Sequence, residues 1–143
     1  MNVRNIRNAE NYQNTEVMAF QNILHIDDDA DDHEIFYSAL RKVNDTINYN
    51  ALTSARKAFA GLVTKELTPD VIFLDLNMPD MSGQQFLVEI KKSESLRHIP
   101  VIILSASSHI GLMELAEELG ARNFITKPNS FDKLVQILSS VLA

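Results

Sequence analysis

Short apolar runs alternate along the chain with longer segments whose apolar residues recur at helical spacing. The runs have the length and β-branched content of buried strands, and the segments between them repeat at i, i+3, i+4 and i+7. The runs predict strands at Asn22–Ile26, Ile47–Leu52, Val71–Asp75, Pro100–Ser105 and Arg122–Thr126. Strands that alternate with helices are typical of βαβ units, which build a parallel sheet covered by helices.

Four segments present a clear apolar face, and a fifth presents a weaker one from about residue 84 to residue 92. The clear faces consist of Phe36, Ala39, Leu40 and Val43; Ala55, Ala58, Phe59 and Leu62; Leu112, Leu115, Ala116 and Leu119; and Leu134, Ile137, Leu138 and Val141. Gly120 is placed to end the fourth helix, and Ser130 to cap the fifth. The alternation predicts a three-layer, doubly wound α/β domain over residues 21–143, with no output domain after it.

Residues 1–20 do not fit this alternation of strands and helices. Asparagine recurs there at positions 2, 5, 8, 11 and 14, a spacing of three that follows no helix face. We expect a flexible N-terminal extension that lacks the apolar core of a secretory signal. No apolar stretch in the chain is long enough to predict a membrane span.

The composition narrows the classes of function. The 143 residues carry a formal net charge of −6 and include no cysteine. An acidic chain is not expected to bind nucleic acid, because proteins that bind nucleic acid normally have a basic patch. Without cysteine there are neither disulfides nor thiolate metal sites, which suits a cytoplasmic protein. Part of the acidity is local, since five of the six residues from Asp27 to Asp32 are aspartate.

Four predicted strands end in side chains that can carry chemistry. These are the run Asp27-Asp28-Asp29 after the first strand, Asp75 at the end of the third, Ser105 at the end of the fourth and Lys127 after the fifth. Because parallel strands have their carboxyl ends at one edge of the sheet, we expect these groups to face a single cleft.

Carboxylates held close together repel one another unless a cation neutralises them. Hard oxygen ligands without His or Cys favour Mg²⁺, an ion that keeps waters and accepts phosphate oxygens. A lysine and a hydroxyl beside such an ion could hold a phosphoryl group, with Lys127 as a point charge and Ser105 as a hydrogen-bond donor. In that case Asp75 would be the attacking carboxylate and would become an aspartyl-phosphate.

Each group also has an ordinary structural role. The Asp27–Asp29 run could be a solvated turn that caps the next helix, Asp75 could cap the turn through Asn77, and Ser105 could cap a strand end. Lys127 alone could be a surface lysine. The coincidence of all four at strand carboxyl ends favours the phosphoryl-transfer interpretation.

Together these residues resemble the receiver domains of two-component response regulators, and the resemblance extends over residues 21–143. It rests on the acidic run after the first strand, the segment Asp75-Leu-Asn-Met-Pro-Asp80-Met-Ser-Gly83, the pair Ser105-Ala106 and the pair Lys127-Pro128. The resemblance implies the flavodoxin-like strand order 2-1-3-4-5 and a stand-alone, chemotaxis-receiver-like signalling protein rather than an enzyme.

The resemblance also implies roles for single residues. Asp27, Asp28, Asp75 and the main-chain carbonyl of Asn77 would hold Mg²⁺; Asp75 would be the phosphoacceptor; Ser105 and Phe124 would form the switch; and Lys127 would contact the phosphoryl group. Asp29 would be an additional acid that caps a helix, and the peptide bond before Pro128 would be cis.

The family implies a mechanism and its partners. A histidine kinase or a histidine phosphotransfer protein would supply the phosphoryl group, and hydrolysis would later remove it. Movement of Ser105 and Phe124 would change the surface of the last two helices and the fifth strand. The downstream target and a place within a phosphorelay remain open, and neither nucleic acid nor membrane is expected as a partner.

Other interpretations fit less well. Asp27, Asp29 and Asp31 match the opening of an EF-hand loop, but Asp32 and Ser38 stand where that loop needs Gly and Glu. A haloacid-dehalogenase-type phosphatase would place its nucleophile after the first strand and would carry a cap domain. A binding module that is never phosphorylated would not need the complete set of acid, hydroxyl and lysine.

Overall fold

The computed structural model describes residues 20–142, and within them the strands and helices alternate as the sequence predicts. The strands are β1 (Asn22–Ile26), β2 (Asn48–Leu52), β3 (Val71–Leu74), β4 (Val101–Ser105) and β5 (Asn123–Thr126). The helices are α1 (Ala30–Val43), α2 (Ala55–Val63), α3 (Gly83–Lys92), α4 (Ile110–Glu118) and α5 (Phe131–Leu142). No described helix is both long enough and apolar enough to cross a bilayer.

All five strands are parallel and lie in the order β2-β1-β3-β4-β5, so the predicted fold class and strand order are confirmed. The central strand β3 has four consecutive buried residues, because helices cover both faces of a doubly wound sheet. The five-residue edge strand β2 contains no fully buried residue, as its polar composition predicts.

Successive residues of each strand point to opposite faces of the sheet and pack into two separate hydrophobic cores. One core lies under α2, α3 and α4, and contains Leu24, Ile26, Ile72 and Leu74 from β1 and β3. The other lies under α1 and α5, and contains Ile23, Val71 and Phe73 from the same strands. The two-residue period of a strand therefore places every carboxyl-terminal strand end between two helical layers.

Local side chains fix the helix starts. Asp29, Ser54, Ser82 and His109 each accept a hydrogen bond from a backbone N–H of the helix that follows, and Ser82 forms a capping box with Gln85. The Ser130 hydroxyl accepts a hydrogen bond from the backbone N–H of Lys133, as expected of the cap of α5. Gly120 follows α4 with a φ of +96°, which only glycine adopts without strain.

Some boundaries and one peptide bond differ from the sequence prediction. β2, β4 and β5 each begin one residue later, and β3 ends at Leu74, which leaves Asp75 just beyond the strand. The described residues contain no cis peptide bond, so the prediction of a cis bond before Pro128 is wrong. Proline lowers the preference for trans but does not abolish it. The predicted N-terminal extension lies outside the described residues except for Phe20.

Candidate functional site

The sheet brings the predicted groups to one edge. Asp27 follows β1, Asp75 follows β3, Ser105 ends β4 and Lys127 follows β5. The register between neighbouring strands continues past their ends: the backbone N–H of Asp75 donates to the carbonyl of Ile26 at 2.9 Å, and that of Lys127 donates to the carbonyl of Ser105 at 2.8 Å. Both side chains are thus positioned by backbone pairing.

The Lys127 ammonium lies among three carboxylates. Its Nζ is 2.8 Å from Oδ2 of Asp27, 2.7 Å from Oδ2 of Asp32 and 3.3 Å from Oδ2 of Asp75. Two of these partners, Asp27 and Asp75, are buried. One positive charge therefore contacts three carboxylates, and the net charge of the cluster is negative.

Three aspartates at this edge bring their carboxylate oxygens close enough together to hold one cation. Asp27, Asp28 and Asp75 each place a carboxylate oxygen within 4.8 Å of the others, and Asp28 is exposed to solvent. The donors are all hard oxygens, and their excess negative charge would be neutralised by a divalent ion. Chemistry and geometry both fit Mg²⁺, or the closely similar Mn²⁺.

Burial and Lys127 shift the pKa of the Asp27 carboxyl group in opposite directions. Burial raises the pKa of Asp27, while the hydrogen bonds from Lys127 and from the backbone of Asp29 lower it, and burial has the larger effect. For Lys127 burial alone would lower the pKa, but the hydrogen bonds to Asp27 and Asp32 raise it above its usual value. Lys127 therefore stays protonated at neutral pH.

Asp75 presents its two oxygens in different directions. Oδ1 accepts a hydrogen bond from the backbone N–H of Asn77 at 3.1 Å, whereas Oδ2 faces the Lys127 ammonium. The loop after Asp75 closes tightly, since the backbone N–H of Gly83 donates to the carbonyl of Leu76 at 3.1 Å. This arrangement fixes the orientation of the carboxylate and leaves one oxygen beside a cation.

Gly83 is required by this close approach. A Cβ at position 83 would lie 2.5 Å from the carbonyl oxygen of Asp75 and 2.5 Å from Cα of Leu76, and both are backbone atoms. We expect Gly83→Ala to lower the free energy of unfolding by at least about 1 kcal/mol, measured by urea titration. Gly111→Ala is the matched control, because its Cβ would meet only His109 at 3.6 Å. A Gly83→Ala variant as stable as the wild type would contradict the tight loop.

Ser105 and Phe124 occupy neighbouring strands at the other side of the site. Ser105 is fully buried, and its hydroxyl accepts a hydrogen bond from the backbone N–H of Ser107 at 3.2 Å. Phe124 pairs with Ile103 across β4 and β5 and is only partly buried, against the core under α2, α3 and α4. The hydroxyl has no side-chain partner in the hydrogen bonds found among residues 20–142.

Sequence reasoning missed one residue of this cluster, Asp32. It lies in the first turn of α1 and makes the shortest contact to Lys127, although 95 residues separate the two in the chain. The one signal in the sequence is that Asp32 belongs to the acidic run that follows β1. Asp29, predicted to cap the helix, does so through a hydrogen bond from the backbone N–H of Asp31.

A buried aromatic group lies behind Asp27. His25 is packed in β1, with its ring centroid 4.3 Å from that of Phe36 and its Nδ1 2.8 Å from the Tyr49 hydroxyl. Its Nε2 is 4.0 Å from Oδ2 of Asp27 and has no hydrogen-bond partner among the described residues. Burial, with smaller effects of His33 and Lys127, lowers the pKa of His25 to about 3.

The strand order and the acidic edge define a flavodoxin-like α/β domain with a cation-ready site at the carboxyl ends of its strands. The family model described as the response regulator receiver domain matches residues 23–139. The chain therefore belongs to the response regulator receiver family, as the sequence predicted.

Individual relatives agree with this assignment. The polar-differentiation response regulator DivK of Brucella ovis is 29% identical over 113 residues, which make up 79% of this chain and 92% of DivK. The phosphorylated cyanobacterial phytochrome response regulator RcpA superposes with a TM-score of 0.78 at 28% identity, covering 86% of this chain and 91% of RcpA. The Mn²⁺-bound form of response regulator Rcp1 gives 0.73 at 26% identity, covering 85% and 91% of the two chains.

Proposed function

We propose that this protein is a response regulator that accepts a phosphoryl group on Asp75 with Mg²⁺ bound at Asp27, Asp28, Asp75 and the main-chain carbonyl of Asn77. The observation that carries the proposal is the position of the Asp75 carboxylate, which has Oδ2 beside the Lys127 ammonium and an oxygen within 4.8 Å of carboxylate oxygens of Asp27 and Asp28. The phosphorylated and Mn²⁺-bound states named for RcpA and Rcp1 support the same chemistry here.

In the proposed reaction, Oδ2 of Asp75 attacks phosphorus and the bond between phosphorus and the donor breaks. With phosphohistidine the leaving group is the neutral histidine imidazole, whose other ring nitrogen is protonated before the bond breaks; with acetyl phosphate it is acetate. Lys127 stays protonated and donates a hydrogen bond to a phosphoryl oxygen, while the Ser105 hydroxyl supplies another. Bound Mg²⁺ would neutralise the carboxylates and the incoming phosphoryl oxygens. Hydrolysis of the acyl phosphate then returns the carboxylate.

The proposed donor is a histidine kinase or a histidine phosphotransfer protein, and we propose that the exchange takes place in the cytoplasm. The signal would leave through α4, β5 and α5, once Ser105 moves toward the phosphoryl group and Phe124 turns inward. Two features of α4 support this path: Ala116 is its only buried residue, while Ile110 is 75% exposed. A helix with so few buried contacts can shift at low cost.

Small-molecule phosphorylation tests the proposal and its metal requirement. With Mg²⁺ and acetyl phosphate, the intact mass should rise by one phosphoryl group, which hydroxylamine removes. With excess EDTA the rate should fall by at least about a hundredfold, because the carboxylates then repel the phosphodonor. Restoring Mg²⁺ should restore the rate. Equal labelling with and without the metal would contradict the role of the acidic cluster.

A further inference from the structure

Lys127 has one carboxylate partner that the proposed chemistry does not use. An ammonium group has three hydrogens to donate, and here they face Asp27, Asp32 and Asp75. Asp75 is the proposed nucleophile and Asp27 a proposed ligand of the cation. Asp32 lies outside the group of carboxylates arranged to hold a metal, yet its contact to Lys127, at 2.7 Å, is the shortest of the three.

The three contacts of the Lys127 ammonium are of two lengths: two are short and one is long. The two short ones run to Asp27, at the end of β1, and to Asp32, in the first turn of α1. The long one, 3.3 Å, runs to Asp75 after β3. The ammonium is thus held by two carboxylates while its third hydrogen is directed at the proposed nucleophile.

We infer that Asp32 is a positioning residue that holds the Lys127 ammonium toward Asp75, an inference that rests on the proposed function. When a cation engages Asp27, the negative charge of that residue is shared with the metal, and Asp32 becomes the one carboxylate that serves Lys127 alone. Lys127 can then redirect its third N–H from Asp75 to the phosphoryl group, while the contact with Asp32 keeps the ammonium in position.

The surroundings strengthen the Asp32–Lys127 pair beyond an ordinary surface salt bridge. The two side chains border a small cavity of about 80 Å³ that is also lined by apolar residues, among them Ile35, Leu104 and Leu134. The Lys127 side chain is 21% exposed and that of Asp32 is 32% exposed. Partial removal from water weakens screening, so the pair interacts more strongly than an exposed one.

The neighbouring residue Asp31 provides a matched control. It lies in the same first turn of α1, has the same charge and is exposed to solvent. Both Asp31→Asn and Asp32→Asn remove one negative charge near the site and one favourable charge from the helix N-terminus. Only Asp32→Asn weakens the hold on Lys127.

The experiment measures three quantities for the wild type and both variants: the maximal rate of labelling by acetyl phosphate at saturating Mg²⁺, the affinity for Mg²⁺ alone, and the affinity for beryllium trifluoride, which mimics a phosphoryl group. We expect Asp32→Asn to label about five- to tenfold more slowly than Asp31→Asn and to bind beryllium trifluoride correspondingly more weakly. The two variants should differ by less than about twofold in Mg²⁺ affinity, since each loses one charge.

A double-mutant cycle separates positioning from a structural role. In a Lys127→Gln background, adding Asp32→Asn should leave the affinity for beryllium trifluoride unchanged, because there is no ammonium left to hold. An equal further loss in that background, or equal labelling rates of Asp31→Asn and Asp32→Asn, would overturn the inference. Failure of the wild type to label would instead refute the proposed function.

Discussion

Replacement of Asp75 by asparagine is expected to abolish phosphorylation by acetyl phosphate. The amide has the shape of the carboxylate but lacks the negative oxygen that attacks phosphorus, and it would no longer pair with the Lys127 ammonium. The phosphoryl group forms its covalent bond with the Asp75 carboxylate itself. Labelling should therefore fall below detection in an intact-mass assay at saturating Mg²⁺. The fold should persist, because Oδ1 of Asp75 makes only a local hydrogen bond to the Asn77 backbone.

The matched control is Asp80→Asn in the same loop. Asp80 is exposed and accepts a hydrogen bond from the Ser54 hydroxyl at 2.8 Å, which holds the loop against the start of α2. This variant loses the same charge close to the site and should still label. Undiminished labelling of Asp75→Asn would refute the assignment of the nucleophile. Loss of labelling in both variants would mean that the loop conformation, rather than the carboxylate, limits the reaction.

The fold follows from the sequence because its signals are local and agree with one another. Val71–Leu74 is apolar at every position, and so short a run between turn residues is typical of a strand buried on both faces. The helix caps could be read in the same way, since Asp29 and Ser130 stand directly before amphipathic segments. Parallel strands separated by helices leave few ways to arrange a sheet, so the site edge follows from connectivity.

The site could be predicted only as far as strand ends define it. Asp27, Asp75, Ser105 and Lys127 each follow or end a strand, and backbone pairing places them. Asp32 is different, because its contact with Lys127 depends on how α1 tilts over the sheet and on the reach of a lysine side chain from β5. Neither is encoded in a spacing of residues, and an acid in a first helical turn is ordinarily explained by the helix dipole.

The place of His25 in β1 accounts for its burial but not for its electrostatic behaviour. Its position in β1 predicts that the side chain faces one core or the other. Whether it ionises depends on neighbours brought from α1 and β2: Phe36, His33 and Tyr49 surround the ring. These contacts come from other elements of the fold, so the composition of β1 alone does not reveal that the pKa of His25 is lowered.

Acidification is expected to destabilise the fold through His25. The pKa of this residue is about 3 in the folded protein and 6.5 in the unfolded chain. Between these values the unfolded chain binds a proton that the folded protein does not, so the free energy of unfolding falls as the pH falls below about 6.5. From pH 7.5 to pH 5 the contribution of His25 should be about 2 kcal/mol, and it should grow further toward pH 3. Urea titrations in EDTA at the two pH values measure it.

The raised pKa of Asp27 acts in the opposite direction, because the folded protein binds a proton there that the unfolded chain does not. The His25 contribution is therefore isolated as the difference between the wild type and His25→Phe, which keeps an aromatic ring against Phe36 and cannot titrate. Phe86→Leu, buried in the other core, should lower stability equally at both pH values. If His25→Phe loses as much stability on acidification as the wild type does, the ring is already protonated in the folded protein. The contact with Asp27 at 4.0 Å would then be an ion pair.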